Sequence, residues 1–313
     1  MSGAAAPPAG SGDNLRLAAA LMLGNLSGMA LVSVLVKQVA TTQPDMPVTQ
    51  ILFFRFACCL PIFLWPMWRA GGISALKTSY PIQHVLRGSF GLTALALFFY
   101  AITLIPLADA TALAYASPLF ITLLSIPILG ERVGPWRWSA IAVGLVGMLL
   151  IARPDQAFLG EALAGVSLVE LGILAGVGSA FFGALVSIWL RRLGRTEPAF
   201  RIVIFYNGAG AILFGLWTTA QGWVLPDGVT FLLLPAIGLV AGFQQLSFAL
   251  SYRYAEASLL APFEFLLLPI AALLGFVVFG EIPAWASLAG AGLIVTSGLV
   301  VLYREGRQRS ANG

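Results

Sequence analysis

Residues 107–131 read LADATALAYASPLFITLLSIPILGE, and residues 254–281 read YAEASLLAPFEFLLLPIAALLGFVVFGE. Each stretch opens with small residues around one acid, Ala108-Asp109-Ala110 and Ala255-Glu256-Ala257. Each continues as an apolar run and stops at Gly-Glu, namely Gly130-Glu131 and Gly280-Glu281. A second apolar run follows in both places, ending near Ala152 and near Tyr303. The same pattern written twice, about 150 residues apart, marks an internal duplication. In an apolar chain it points to a transporter built from two repeats. When Asp109 is laid on Glu256, Gly91 falls on Gly238, so the correspondence extends upstream.

The 313-residue chain is 59% hydrophobic and only 10% charged. A soluble domain carries about 25% charged residues, so lipid must be the solvent for most of this length. No basic cluster interleaved with aromatics suggests nucleic acid. Cys58 and Cys59 are adjacent within an apolar run, and with one histidine in the chain they make a poor metal site. They read as packing residues, and neither a metal nor a cofactor is expected. Residues 1–14 are small and polar with Pro and Gly, and read as a disordered tail. They lack the basic start of a secretory signal. The first apolar run is long enough to span, so it reads as a retained helix.

A helix of about 20 apolar residues crosses a bilayer. On that basis the sequence predicts an all-α polytopic membrane protein with ten spans. They fall at 16–37, 49–68, 86–105, 110–129, 135–152, 168–190, 200–221, 230–250, 257–279 and 284–303. With the N-terminus inside, fourteen basic residues lie on the inner side, Arg87 among them at the start of the third span. Lys37 and Arg153 lie outside, and Arg55 is left within the membrane. This asymmetry supports both the count and the orientation, with both termini cytoplasmic. Five spans per half is an odd number, so the halves must insert in opposite senses. That is an inverted repeat, which gives alternating access when one half rocks against the other. Gly24/Gly28, Gly172/Gly176 and Gly238/Gly242 are GxxxG pairs suited to close helix packing in lipid.

These residues resemble the drug/metabolite transporter superfamily, specifically proteins with two EamA-type repeats. The resemblance rests on Leu107-Ala108-Asp109-Ala110, Ala116-Ser117-Pro118 and Leu129-Gly130-Glu131. In the second half it rests on Ala255-Glu256-Ala257, Ala261-Pro262 and Phe279-Gly280-Glu281. Arg55 matches an arginine that such proteins often carry in the second span. The resemblance divides the chain into a tail (1–14), a first repeat (15–155, spans 1–5), a second repeat (166–305, spans 6–10) and a C-terminal tail (306–313). The stretch 105–154 looks most like the branch containing riboflavin and S-adenosylmethionine carriers. Amino-acid and metallophore exporters share the same repeat. The resemblance implies a secondary transporter in a bacterial cell inner membrane, with a central cavity between the repeats.

Polar groups within a span are costly and usually face a cavity or a partner. Glu264, between Phe263 and Phe265, reads as a proton-coupling carboxylate, a counter-charge for a cation, or a structural hydrogen-bonding group. Arg55 could bind a carboxylate through two bonds, snorkel to the interface, or tie helix ends together. Asn25, Gln244 and Gln245 suit a neutral polar heterocycle or serve as interhelix glue. The two glutamines point about 100° apart, so only one need face a cavity. Tyr100 and Tyr115 are the preferred aromatic candidates, because their spans flank the repeat interface in the family. Pro118 and Pro262 interrupt apolar runs and are hinge candidates. Glu131 and Glu281 each end a span and read as capping or orienting the helix that follows, and Asp109 and Glu256 as doing the same at the starts of spans 4 and 9. Trp136, Trp138, Trp217, Trp223 and Trp285 sit at span ends as interfacial belt residues.

There is no GxxxxGK[ST] loop for direct ATP drive. An intramembrane enzyme would need paired catalytic groups, yet HExxH is absent and His84 is the one histidine. A channel would need a polar stripe along several spans, and polar residues are too sparse. The expected partners are a small amphipathic metabolite, the lipid bilayer and a coupling proton. A homodimer is left open.

Overall fold

The computed structural model describes residues 12–69, 71–129, 135–152, 167–193, 196–254, 260 and 263–311. The readings on Gly130-Glu131, Ala255-Glu256-Ala257, Ala261-Pro262 and the first eleven residues lie outside these. Among the described residues every regular element is helical. The elements are α1 (Gly12–Thr42), α2 (Val48–Ala57), α3 (Leu60–Arg69) and a 3-10 turn (Gly72–Leu76). There follow α4 (Pro81–Leu104), α5 (Leu107–Ala114), α6 (Ser117–Leu129) and α7 (Pro135–Ala152). The second half holds α8 (Leu168–Leu193), α9 (Ala199–Gln221), α10 (Thr230–Tyr254), α11 (Leu267–Phe279) and α12 (Trp285–Ala311).

Seven segments among the described residues are long and apolar enough to cross a membrane. They are Arg16–Thr42, Val48–Arg69, Pro81–Leu104, Leu107–Leu124, Leu168–Leu190, Phe200–Gln221 and Thr230–Ser251. Ile141–Ile151, Leu267–Phe279 and Trp285–Val300 are shorter apolar helices. The outer surface fits lipid. Ile212, Leu216, Phe231, Phe243 and Val277 are all more than half exposed, and a soluble protein does not carry so many large apolar side chains in the open. Trp138, Trp217, Trp223 and Trp285 are also exposed, as expected for residues at span ends.

Two spans of the first half are broken. The second divides at Cys58-Cys59, where α2 ends and α3 begins at Leu60. Both cysteines are free thiols; Cys59 is buried and Cys58 half-buried, which agrees with packing. The fourth span divides at Tyr115-Ala116, and Pro118 sits in the first turn of α6. Proline is tolerated there because the first-turn N–H groups have no intrahelical acceptor.

The dominant packing pairs are α1 with α10, α4 with α8, α7 with α12, and α2 with α9. Each joins a helix of the first half to one of the second. Between α7 and α12 the backbones nearly touch. A methyl placed on Gly147 would lie 2.6 Å from the Gly290 carbonyl oxygen, and one on Gly290 would lie 2.5 Å from that of Gly147. The expected GxxxG pairs also mark close approaches. Gly28 meets Gln244, Gly176 meets Leu113, and Gly238 meets the Phe54 carbonyl.

Candidate functional site

A cavity of about 450 Å³ lies where the two halves meet. Its walls come from α1 (Asn25, Met29), α4 (Arg87, Gly91, Phe98), the α5–α6 break (Tyr115, Ser117), α8 (Ser179), α9 (Tyr206), α10 (Gln244, Phe248) and Glu264. The size suits a small organic metabolite, and the lining mixes apolar and aromatic walls with a few polar groups, as ligand sites do.

Of the sequence candidates, Glu264, Asn25, Gln244 and Tyr115 line this cavity. The Gln244 amide donates to Asn25 Oδ1 at 2.6 Å, joining α10 to α1. The Tyr115 hydroxyl donates to the Glu264 backbone carbonyl, and its ring stacks on Phe265 with centroids 5.7 Å apart. The helix break at Tyr115 and the chain at Glu264 are therefore tied together at the cavity wall. Gln245 points elsewhere and accepts from the buried Asn207 amide at 3.1 Å. Tyr100 is exposed on the outside of α4 and does not line the cavity. A helix turns about 100° per residue, and the face carrying Arg87, Gly91, Ala94, Leu95 and Phe98 is the one turned inward. Arg55 is buried behind the wall, with its guanidinium 4.6 Å from the Phe56 ring centroid. Its Nε and Nη1 have no hydrogen-bond partner among the described residues. Pro118 stands one residue beyond the cavity-lining Ser117, and Pro262 lies outside the described residues.

Sequence reasoning missed two features. The first is Arg87, which counts as a loop charge by its position near the start of the third span. It lies within α4 and lines the cavity, with its guanidinium 4.0 Å from the Tyr206 ring centroid. The available signal was an arginine one turn before Gly91, inside an apolar run.

The second is the partner of Glu281. Gly280 ends α11 with φ of 67°, and the Glu281 N–H returns to the Gly275 carbonyl. This left-handed cap reverses the chain and turns the Glu281 carboxylate back against the helices. There it pairs with Lys37 from the end of α1, and Oε2 accepts from the Leu107 N–H at 2.9 Å. Lys37 also donates to the Ile105 carbonyl at 2.9 Å. Glu281 thus caps α5 rather than the helix that follows it, a correction to the sequence expectation. The carboxylate satisfies an unpaired N–H at a helix N-terminus, where negative charge is favoured. Lys37 stands eight residues past the cavity-lining Met29, about 12 Å along the helix.

A second polar cluster joins the starts of α4 and α9. Glu197 pairs with Arg201 and accepts from the Thr78 hydroxyl, and His84 Nε2 stands 3.9 Å from Glu197 Oε2. Arg201 Nε donates to the Ala75 carbonyl at 2.7 Å. Burial pushes the Glu197 carboxyl up, but hydrogen bonds from Thr78 and Arg201 outweigh it and hold the group below the ordinary carboxylate range.

Apolar helices around a central, mixed-polarity cavity define a multi-pass membrane protein that handles a small molecule. The comparisons give the family. The model of the EamA-like transporter family matches residues 16–153 and 170–303. The chain belongs to that family, and is a membrane transporter rather than an enzyme. It is 29% identical to a riboflavin transporter of Rhizobium johnstonii, over 87% of each chain. It is 27% identical to an S-adenosylmethionine uptake transporter of Rickettsia prowazekii, over 84% of this chain and 85% of the relative. It is 30% identical to the pseudopaline exporter CntI of Pseudomonas aeruginosa, over 86% of this chain and 89% of the relative. A solved crystal structure at 23% identity superposes with a TM-score of 0.60 over 90% of this chain, a likeness of fold.

Proposed function

We propose that this chain is a secondary transporter that carries a small amphipathic metabolite across the bacterial inner membrane by alternating access. Its ten spans form two inverted repeats of five, 15–155 and 166–305, with both termini cytoplasmic. The observation that carries the reading is one cavity walled by both halves, with an ion pair beyond one end of it. The lining runs from Arg87 to Phe98 on α4 and from Ser179 to Val186 on α8, across the middle of both helices, and is completed by Tyr206 of α9 and by Gln244 and Phe248 of α10. With the termini inside, the far end of α1 lies on the outer side. The Lys37–Glu281 pair then belongs to the outer side and holds α1, the α11 end and the start of α5 together.

The packing pattern supports the repeat. Exchanging the halves span for span turns the α1–α10 pair into the α4–α8 pair, and returns α2–α9 and α7–α12 to themselves. A two-fold relation between the halves produces that invariance, and opposite insertion is its membrane form. The relatives support a polar organic solute, since their names include riboflavin, S-adenosylmethionine and pseudopaline. Glu264 on the cavity wall is the candidate coupling carboxylate.

The test is flux of riboflavin, S-adenosylmethionine and L-tryptophan into proteoliposomes, with and without a pH gradient. The reading expects saturable flux of at least one solute, driven by the gradient and blocked by an excess of the unlabelled compound. Flux that never saturates would indicate a channel and contradict it.

A further inference from the structure

Arg87 occupies a site made for it. Its side chain runs along the face of α4 that carries Gly91. A methyl at Gly91 would lie 2.9 Å from Arg87 Nη1 and 2.9 Å from Tyr206 Cε2. Glycine at this position leaves room for the guanidinium to lie over the Tyr206 ring. The Tyr206 hydroxyl donates to the Gly91 carbonyl at 3.3 Å, which fixes the ring beneath the arginine. Phe56 meets Tyr206 edge-on, with centroids 5.2 Å apart at 88°, and Arg55 lies over the other end of this aromatic pair.

No carboxylate pairs with either arginine among the described residues. Nε and Nη1 of Arg87 are buried without a hydrogen-bond partner there, as are the same atoms of Arg55. An aromatic face offsets only part of the cost of desolvating a guanidinium, and a buried charge is ordinarily paired. Arg87 lines the cavity, so a bound solute is the group that can reach it. A guanidinium presents a planar fork of N–H donors that matches a carboxylate or phosphate. Arg55 adds positive potential from behind the wall.

Resting on the transporter reading above, we propose that Arg87 is the recognition site for an oxyanion, carboxylate or phosphate, on the transported metabolite. The body of that metabolite packs against Tyr115, Phe98 and Phe248. The substrate is therefore an organic anion or a zwitterion that presents its acid to α4. A neutral heterocycle or a simple amine does not satisfy this site.

Matched pairs test it. The full chain, purified in detergent, is heated with L-tryptophan against L-tryptophanamide, indole-3-acetate against indole-3-acetamide, and flavin mononucleotide against riboflavin. The acid of at least one pair is expected to bind about tenfold or more tighter than its neutral or amide partner, as expected for a charge-assisted bidentate pair. The first two pairs report a carboxylate and the third a phosphate. Arg87→Gln is expected to erase the acid preference, and Arg87→Lys to keep part of it. The proposal is overturned if neutral members stabilise the wild type as well as the acids do, if no acid stabilises it, or if Arg87→Gln retains the preference. Should Arg87→Gln fail to fold, the wild-type pairs decide alone. Saturable flux of riboflavin with no acid preference would overturn the oxyanion site and leave the transporter reading standing. Acid-selective binding without flux of any member would support the site and count against transport.

Discussion

Replacing Glu281 with glutamine removes one charge and almost no volume. Lys37 is 7% exposed, and its polar contacts are the Glu281 carboxylate and the Ile105 carbonyl, with the Phe279 ring 5.5 Å from its ammonium. A glutamine oxygen can still accept from the Leu107 N–H, so the change isolates the charge from the cap. Removing one partner of a buried pair costs about 3–5 kcal/mol. Glu281 keeps 18% of its side-chain surface, which argues for the low end, about 3 kcal/mol. That corresponds to about a 100-fold shift in the balance between the closed and open forms of this end. Lys37→Met strands the carboxylate and is expected to cost a similar amount. The Lys37→Met/Glu281→Gln double variant leaves no stranded charge and should be more stable than either single change. Thermal unfolding of the four proteins gives the coupling, and hydrogen exchange at the Leu107 amide reports local opening. If Glu281→Gln unfolds and exchanges like the wild type, or the double variant simply sums the single losses, the pair does not hold this end shut.

Glu264→Gln is expected to remove the dependence of flux on a pH gradient while leaving substrate binding, and a preserved dependence would take that residue out of coupling. Glu197→Gln is expected to lower the unfolding temperature at neutral pH. The folded carboxyl lies below its ordinary value of 4.5, so its contribution is present above that value and lost as the pH falls through the folded one. The gap from wild type should therefore close in acid. Gly147→Ala forces a methyl against the Gly290 carbonyl at 2.6 Å and is expected to cost about 1–3 kcal/mol of stability, read by thermal unfolding. An unchanged midpoint would mean that α7 and α12 do not pack this closely in the membrane.

Apolar runs of span length were readable from composition alone, because a bilayer leaves a helix few alternatives. The duplicated small-acid-small and Gly-Glu patterns pointed to the family because they are local in sequence. Facing was harder to read. Gln244 and Gln245 are chemically identical neighbours, and only packing turns one into the cavity and the other onto Asn207. The sequence offers Tyr100 and Tyr115 as equivalent aromatic candidates, yet the facing of α4 puts Tyr100 on the outer surface. The Lys37–Glu281 pair joins residues 244 positions apart, and no periodicity encodes such a contact. Arg87 was hidden by its nearness to a span boundary, where basic residues are ordinarily topological signals. The break at Tyr115-Ala116 was foreshadowed by Pro118, whereas nothing in Cys58-Cys59 announced the break in the second span.

Access to Ser179 tests the account most directly. Ser179 is 5% exposed and lines the cavity on α8, and Ser179→Cys is nearly isosteric. In a background with Cys58 and Cys59 replaced, a membrane-impermeant thiol reagent is applied to one face of sealed vesicles and then to the other. Alternating access predicts labelling from either face, with Glu281→Gln raising the rate from the Lys37 side at the expense of the other. Labelling from one face alone, unchanged by Glu281→Gln, would contradict it.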